Sequence, residues 1–277
     1  MGRLVRIDAE LVRRKLATSR QHARQLIDEG RVSLAGQVVS KPARQMDPAQ
    51  PLLVAQQAAD DYVSRGAYKL AGALDALGER GPAVAGRRCL DAGASTGGFT
   101  DVLLRRGAGH VVAVDVGYGQ IAWRLREDRR VTVVERTNVR TLDPRVVAPA
   151  VGLVVGDLSF ISLTLVIPAL QRAATDDADF LLMVKPQFEV GRENLGRGGV
   201  VRDTAQHARA VAAVADRGRE CGLALRAVVP SPLPGPAGNV EYFVYMSGGG
   251  EGLVGGQADE AIEQAIAAGP AGQKVRS

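Results

Sequence analysis

One glycine-rich turn and four scattered ionisable residues carry the chemistry this sequence could do. The turn reads Leu90-Asp91-Ala92-Gly93-Ala94-Ser95-Thr96-Gly97-Gly98-Phe99-Thr100. An apolar run through Cys89-Leu90 ends in Asp91, a loop of small residues follows, and a helical pattern opens at Phe99. A strand feeding a glycine turn and a helix N-terminus makes a nucleotide-type cofactor site. The glycines matter because a side chain there would push the cofactor off the backbone. Ala94 to Thr96 fill the middle, so the spacing is not the G-x-G-x-x-G of dinucleotide enzymes. An Asp ahead of the first glycine and paired glycines at the end suit S-adenosylmethionine. Asp91, Gly93, Ala94, Ser95, Thr96, Gly97, Gly98 and Phe99 are the candidate cofactor contacts. A plain tight strand-to-helix turn is the bland alternative.

The four ionisable residues stand where charge is uncomfortable. Lys185 closes the apolar run Phe180-Leu181-Leu182-Met183-Val184, just before Pro186, and Asp157 ends the run Gly152 to Gly156. Glu241 begins a strand after a proline-glycine turn, and Lys69 lies in the helical run Ser64 to Leu70. A snorkelling or surface charge is the commoner fate of such residues; Lys185, at the mouth of a buried strand, fits that fate least. The residues after Asp157 narrow the chemistry. Enzymes that methylate exocyclic amines usually show Asp/Asn-Pro-Pro-aromatic there, whereas this chain has Asp157-Leu158-Ser159-Phe160. Methylation at pyrimidine C5 needs a cysteine nucleophile in a loop, but Cys89 is inside a strand and Cys221 closes a helix. No Cys-x-x-Cys or histidine cluster suggests a metal.

The surrounding pattern predicts the elements that hold these residues. Strands are expected at 87–91, 111–115, 131–135, 152–157, 180–185, 224–229 and 241–246. Helices are expected over Ala67 to Leu77, near 98–106, 118–127, 162–173 and 204–221, and over Ala258 to Ala268. Alternating strand and helix implies a parallel sheet covered on both faces. Seven strands, with the final one inserted antiparallel, fit an α/β, doubly wound, Rossmann-like methyltransferase sheet. Its strand ends share one rim, where ligands bind. Asp115 ends the second strand, placed for ribose hydroxyls, with capping of the next helix as its alternative use. Asn138 follows the third strand, placed for an adenine edge, and Asp157 and Phe160 follow the fourth.

A chain of 277 residues accommodates one large and one small domain. The small one comes first. Ile7, Leu11 and Leu16 mark a short amphipathic helix, Ser19 caps a second whose stripe is Ala23, Leu26 and Ile27, and strands follow at 31–34, 37–39 and 52–55. The net charge of +5 lies wholly in residues 1–50, which hold ten Lys/Arg and five Asp/Glu; the remainder holds 25 of each. A basic module joined to a neutral one suits a polyanion, with an unliganded solvated face as the alternative. No apolar run approaches the ~20 residues of a membrane span, and the N-terminus lacks the apolar core of a signal peptide. Two isolated cysteines suit the reducing cytoplasm.

Lys69, Asp157, Lys185 and Glu241 occur in the order and contexts of the Lys-Asp-Lys-Glu tetrad of FtsJ-like 2′-O-ribose methyltransferases. The N-terminal module resembles an S4 RNA-binding domain, and the whole chain is similar to the TlyA family of bacterial ribosomal RNA cytidine 2′-O-methyltransferases, once labelled hemolysins. The runs Val63 to Ala67, Asp91 to Thr100, Asp115 to Gln120, Asp157 to Leu163, Val184 to Glu189, Gly198 to Val201 and Ser231 to Tyr242 carry the likeness. It implies an S4-like domain over 1–59, a linker over 60–63 and a methyltransferase domain over 64–277. It implies S-adenosylmethionine as cofactor, ribosomal RNA or subunits as partner, and no metal. Lys185 is expected as general base, its proton loosened by burial and by a second ammonium at Lys69 unless Asp157 and Glu241 lie closer to it than Lys69 does, with Asp157 and Glu241 assigned to orienting the lysines and the ribose. Arg3, Arg6, Arg20 and Lys41 are the expected phosphate contacts by resemblance and charge, and Arg65, Arg136 and Arg192 extend the track. The N-terminus and tail helix resemble family members that act on both ribosomal subunits. Asp60 stands where the family's linker often carries arginine, and Leu4 where relatives can be basic. An RNA-binding assembly factor without catalysis, a membrane-active hemolysin and a methyltransferase of small molecules or proteins are the competing readings.

Overall fold

The computed structural model describes residues 4–17, 19–28, 30–55, 61–191, 194–196, 198–235 and 238–270. The chain divides into two compact units, Met1–Arg65 and Gly66–Ser277.

In the first unit, β1 (Val5–Arg6) pairs antiparallel with β4 (Gln45–Met46), and β2 (Val32–Leu34) lies between β3 (Gln37–Val38) and β5 (Leu52–Val54). The helices α1 (Ile7–Arg13) and α2 (Arg20–Asp28) bury Ile7, Leu11, Ala23, Leu26 and Ile27 with Val32, Leu34, Met46 and Leu52. This is the stripe the periodicity predicts. Ser19 Oγ accepts the N–H of His22 at 3.1 Å, as expected of the cap. α1 stops before Leu16 because Lys15 takes a positive φ of 59° and the next two N–H groups turn back to Leu11 O. Two carboxylates enter this core. Arg6 holds Asp8 through two hydrogen bonds, and Arg13 and Arg14 both engage Glu10, lowering the Glu10 carboxyl to about 2.

The second unit is built on one seven-stranded sheet. In chain order its strands are β6 (Arg88–Ala92), β7 (His110–Val114), β8 (Val131–Val134), β9 (Val151–Gly156), β10 (Ala174–Val184), β11 (Leu223–Pro230) and β12 (Tyr242–Gly248). They lie in the order β8-β7-β6-β9-β10-β12-β11, with β12 antiparallel to both of its neighbours. The helices are α3 (Ala67–Leu77), α4 (Gly98–Arg105), α5 (Trp123–Arg126), α6 (Pro144–Val147), α7 (Leu163–Arg172), α8 (Pro186–Glu189), α9 (Thr204–Glu220) and α10 (Gly256–Ala268). Leu90, Leu182, Val184 and Val244 pack with α7 and α9. The alternate residues Cys89, Leu181, Met183 and Phe243 are equally buried on the other face, where Phe99 of α4 meets Phe243. Both faces are covered, which is why these strands read as unbroken apolar runs.

Register decides what reaches the rim. Leu182 pairs with Gly156 on β9, and Val184 pairs with Tyr242 on β12. Asp157, Lys185 and Glu241 each lie one residue beyond these strand ends, on three adjacent strands. Two expectations need correction. The helix expected near 118–127 shrinks to Trp123–Arg126, because Gly117 and Gly119 break the segment and Gly119 takes φ +67°. β10 starts at Ala174 rather than near 180, since polar Thr175 to Asp177 form its exposed first stretch.

The Glu10 carboxyl lies lower in the folded chain than its ordinary value of 4.5, so its contribution is present above that value and fades as pH falls toward about 2. Glu10→Gln should therefore destabilise the chain by about 1–3 kcal/mol at pH 7, with the difference from wild type narrowing below pH ~4.5 in chemical denaturation.

Candidate active site

The turn after β6 is stitched to the neighbouring strand ends. Gly93 N and Ala94 N donate to Val114 O at 2.8 and 3.1 Å, and Asp157 N donates to Ala92 O at 3.1 Å. Gly93 has φ +86°, and a Cβ there would lie 2.8 Å from Asp157 O; at Gly97, φ +93°, it would run into the Leu125 side chain. Only glycine fits either place. Ser95, without that freedom, still takes φ 48°. Asp115 bridges the turn, its carboxylate accepting Ser95 N at 2.8 Å and Gly117 N at 2.6 Å. It does not cap the next helix, whose N-cap is Ala122. Among the other candidate cofactor contacts, Ser95 is exposed, while Ala94, Thr96 and Gly98 are buried and Phe99 packs into the core. Asn138 is exposed and caps the 3-10 turn Val139–Thr141 through Arg140 N.

Asp91 lies wholly buried beneath this turn. Thr100 Oγ1 donates to its Oδ2 at 2.7 Å, while its Oδ1 has no partner among the described residues. Burial pushes its carboxyl up to about 7; the Thr100 bonds oppose this, and the charges of Asp157 and Asp115 add to it. A close-packed glycine turn edged by Asp91, Asp115 and Asp157 fits a nucleoside ligand that carries positive charge.

The structure brings the four ionisable candidates together. Lys185 Nζ lies 2.5 Å from Asp157 Oδ1, and Lys69 Nζ lies 2.5 Å from Glu241 Oε2. Both lysines and Glu241 are buried. Glu241 also feels the charges of Lys185 and Asp157, so the two pairs form one cluster. Burial raises the Glu241 carboxyl above its ordinary value, against the pull of Lys69 and then Lys185. Each ammonium is met by a carboxylate. Of the two arrangements considered for Lys185, a neighbouring ammonium or a nearer carboxylate, the structure shows the ion pair with Asp157.

Sequence reasoning missed three neighbours. Ser159 Oγ accepts from Lys185 Nζ at 2.9 Å. Its spacing of two from Asp157, beyond a strand end, was the available signal. Phe188 meets the ring of Phe160 at 5.1 Å, and Phe160 itself is 91% exposed with φ 64°. Glu189 accepts from Ser162 Oγ and Leu163 N.

The basic candidates differ in their surroundings. Arg20, Lys41 and Arg65 are exposed, Arg6 is engaged by Asp8, and Arg136 lies 4.4 Å over the Tyr118 ring. Arg3, Arg192 and Asp60 lie outside the described residues. Among the described residues no group of His, Cys, Asp and Glu could hold a metal, and no helix is long and apolar enough to cross a membrane.

The FtsJ-like methyltransferase family matches residues 62–247, and the S4 domain matches residues 5–49. The 16S/23S rRNA (cytidine-2′-O)-methyltransferase TlyA of Mycobacterium tuberculosis is 54% identical over 271 residues, 98% of this chain and 100% of that protein. The 23S rRNA (cytidine-2′-O)-methyltransferase TlyA of Campylobacter jejuni is 32% identical over 252 residues, 84% of this chain and 96% of that protein. A solved structure from Streptococcus thermophilus, described as a hemolysin, is 32% identical with a TM-score of 0.72 and covers 100% of this chain and 99% of that one.

The raised Asp91 carboxyl favours the protonated folded chain, so its stabilising effect is full below its ordinary value of 3.8 and is lost as pH climbs through about 7. Asp91→Asn should raise the melting temperature relative to wild type by at least about 2–4 °C more at pH 8 than at pH ~4. Calorimetry at the two pH values measures the difference.

Proposed function

The chain belongs to the FtsJ-like methyltransferase family, in the TlyA group that joins an S4 domain to the catalytic fold, and from that premise we propose that it methylates the 2′-hydroxyl of cytidine in ribosomal RNA. The observation that carries the reading is the Lys185–Asp157 and Lys69–Glu241 quartet at the sheet rim, three of whose members are buried, beside the glycine turn. The greater likeness to the relative named for both 16S and 23S RNA supports action on both subunits. In this reading residues 1–59 bind RNA, 60–63 link, and 64–277 catalyse.

Gly93 to Phe99, Asp115, Asn138 and Asp157 would hold the cofactor. S-adenosylmethionine, when bound, supplies an electrophilic methyl on a sulfonium. A ribose 2′-hydroxyl is a weak acid and a weak nucleophile, so the protein must align it and take one proton. Asp157 and Ser159 orient Lys185 for that task, which requires the ammonium first to release its own proton to solvent. The neutral amine then has two N–H bonds and one lone pair. Asp157 and Ser159 use both N–H bonds, and the lone pair is left for the hydroxyl proton. Glu241 holds Lys69, whose ammonium stays within reach of the same oxygen's developing charge. Asp91 and Phe160 complete the cofactor contacts of this reading.

The test combines labelled S-adenosylmethionine with separated ribosomal subunits and maps 2′-O-methylation by reverse-transcription stops at low nucleotide. Wild type should mark cytidine in RNA of both subunits. Lys185→Ala should lose at least ~100-fold in rate while still binding cofactor; wild-type turnover by that variant would remove the base assignment. RNA affinity should fall steeply with salt, and Arg20→Ala and Lys41→Ala should each reduce the logarithmic slope by about 1.

A further inference from the structure

The segments following β9 and β10 lie side by side and are joined step by step. Lys185 meets Asp157 and Ser159, Phe188 meets Phe160, and Glu189 meets Ser162 and Leu163. The last of these contacts lies at the start of α7. Leu163 N donates to Glu189 Oε1 at 2.8 Å, and Ser162 Oγ bonds Glu189 Oε2. An ionised carboxylate only accepts, so the Ser162 hydroxyl proton is spent on Glu189. Ser162 Oγ is then left to accept, from Thr164 N at 3.1 Å and from Thr164 Oγ1 at 2.6 Å. Every donor at this helix start has an acceptor, and the negative side chain lies at the positive end of the helix.

α8 needs such an anchor. It is a single turn of four residues, with Lys185 as its N-cap and no side-chain cap of its own. One helical turn does not hold itself in water. Its direction must come from its side-chain contacts, and Glu189 is the last residue of the turn. Glu189 makes no ion pair among the described residues, and burial holds its carboxyl above the ordinary value. The helix end and the Ser162 hydroxyl are its compensation.

We infer that Glu189 is a positioning residue for methyl transfer, clamping α8 to the start of α7 so that Lys185 is held opposite Asp157. This rests on the reading of Lys185 as proton acceptor. Glu189 touches neither reacting group; it acts through the turn whose first residue does. A helix cap of purely structural value would alter stability and leave the chemical step alone, and the two roles separate in kinetics.

The experiment measures single-turnover methylation of ribosomal subunits at saturating cofactor and RNA, with melting temperatures and both dissociation constants, for the full chain. Glu189→Ala should slow the step by ~10–100-fold, with both dissociation constants within about twofold of wild type. Glu189→Gln keeps an acceptor for Leu163 N and lets the Ser162 hydroxyl reverse, so it should recover to within about fivefold of the wild-type rate. A wild-type rate in Glu189→Ala, a loss confined to melting temperature or affinity, or equal damage in both variants would overturn the inference. Should Glu189→Ala fail to fold, Ser162→Ala decides, with ~3–10-fold slowing expected and an unchanged rate overturning it. Lys185→Ala is the control. Activity in that variant sinks the base assignment itself, whereas an inactive Lys185→Ala beside a fully active Glu189→Ala sinks the clamp alone.

Discussion

Charges buried together at one rim of a sheet must neutralise one another, and the catalytic unit is arranged around that requirement. An unpaired ammonium or carboxylate in such a place costs several kcal/mol. Lys69, Lys185 and Glu241 are all buried, and each is matched at 2.5 Å by an opposite charge. Three of the four cluster residues are delivered by sheet register. Asp157 and Lys185 leave the ends of parallel strands, whereas Glu241 precedes β12, whose reversed direction brings its start to the same rim. A parallel final strand would put its end there and its beginning at the opposite edge. The inverted strand is thus what closes the charge balance, and Lys69 on α3 completes it from another element.

The same rim holds backbone strain. Ser95 and Phe160 take φ of 48° and 64°, conformations that side chains other than glycine rarely adopt. They flank the place where the Gly93 turn touches Asp157 O too closely for a Cβ. Asp91 beneath adds a buried carboxylate with one oxygen left without a partner among the described residues. None of these features stabilises the fold by itself. They persist because the apolar layers on both faces of the sheet over-determine the strand ends.

The parts legible in the sequence are those fixed by local pattern. The helix Ala67–Leu77 matches its expected limits, and six of the seven strands fall within two residues of the expected starts. The four residues of the charge cluster were legible because charge at the end of an apolar run is conspicuous and because the family resemblance singles them out. The failures have a common cause. Residues 118–127 carry enough apolar side chains to suggest a helix, but Gly117, Gly119 and the bonds of Asp115 to the glycine turn impose a loop. The early start of β10 depends on pairing with β9 beyond a register shift at Ala174/Asp179. Ser159 and Glu189 look like ordinary surface residues, and their contacts arise only when segments from different parts of the chain become neighbours.

Charge in the N-terminal unit shows a related limit of composition. All the excess of +5 lies in residues 1–50, yet folding consumes part of it. Arg6 is held by Asp8, and Arg13 and Arg14 are held by Glu10, with both carboxylates buried in the module. These arginines help to build the unit, since each buried carboxylate would be costly without them. Lys41 and Arg44 are exposed and form no ion pair among the described residues, and Arg20, though near enough to act on Asp8, forms none either. A polyanion gains most from cations whose only competitors are water and salt. At Arg6 any polyanion would have to compete with a carboxylate already in place. The cations open to such a partner are those left over after folding, fewer than the sequence count implies.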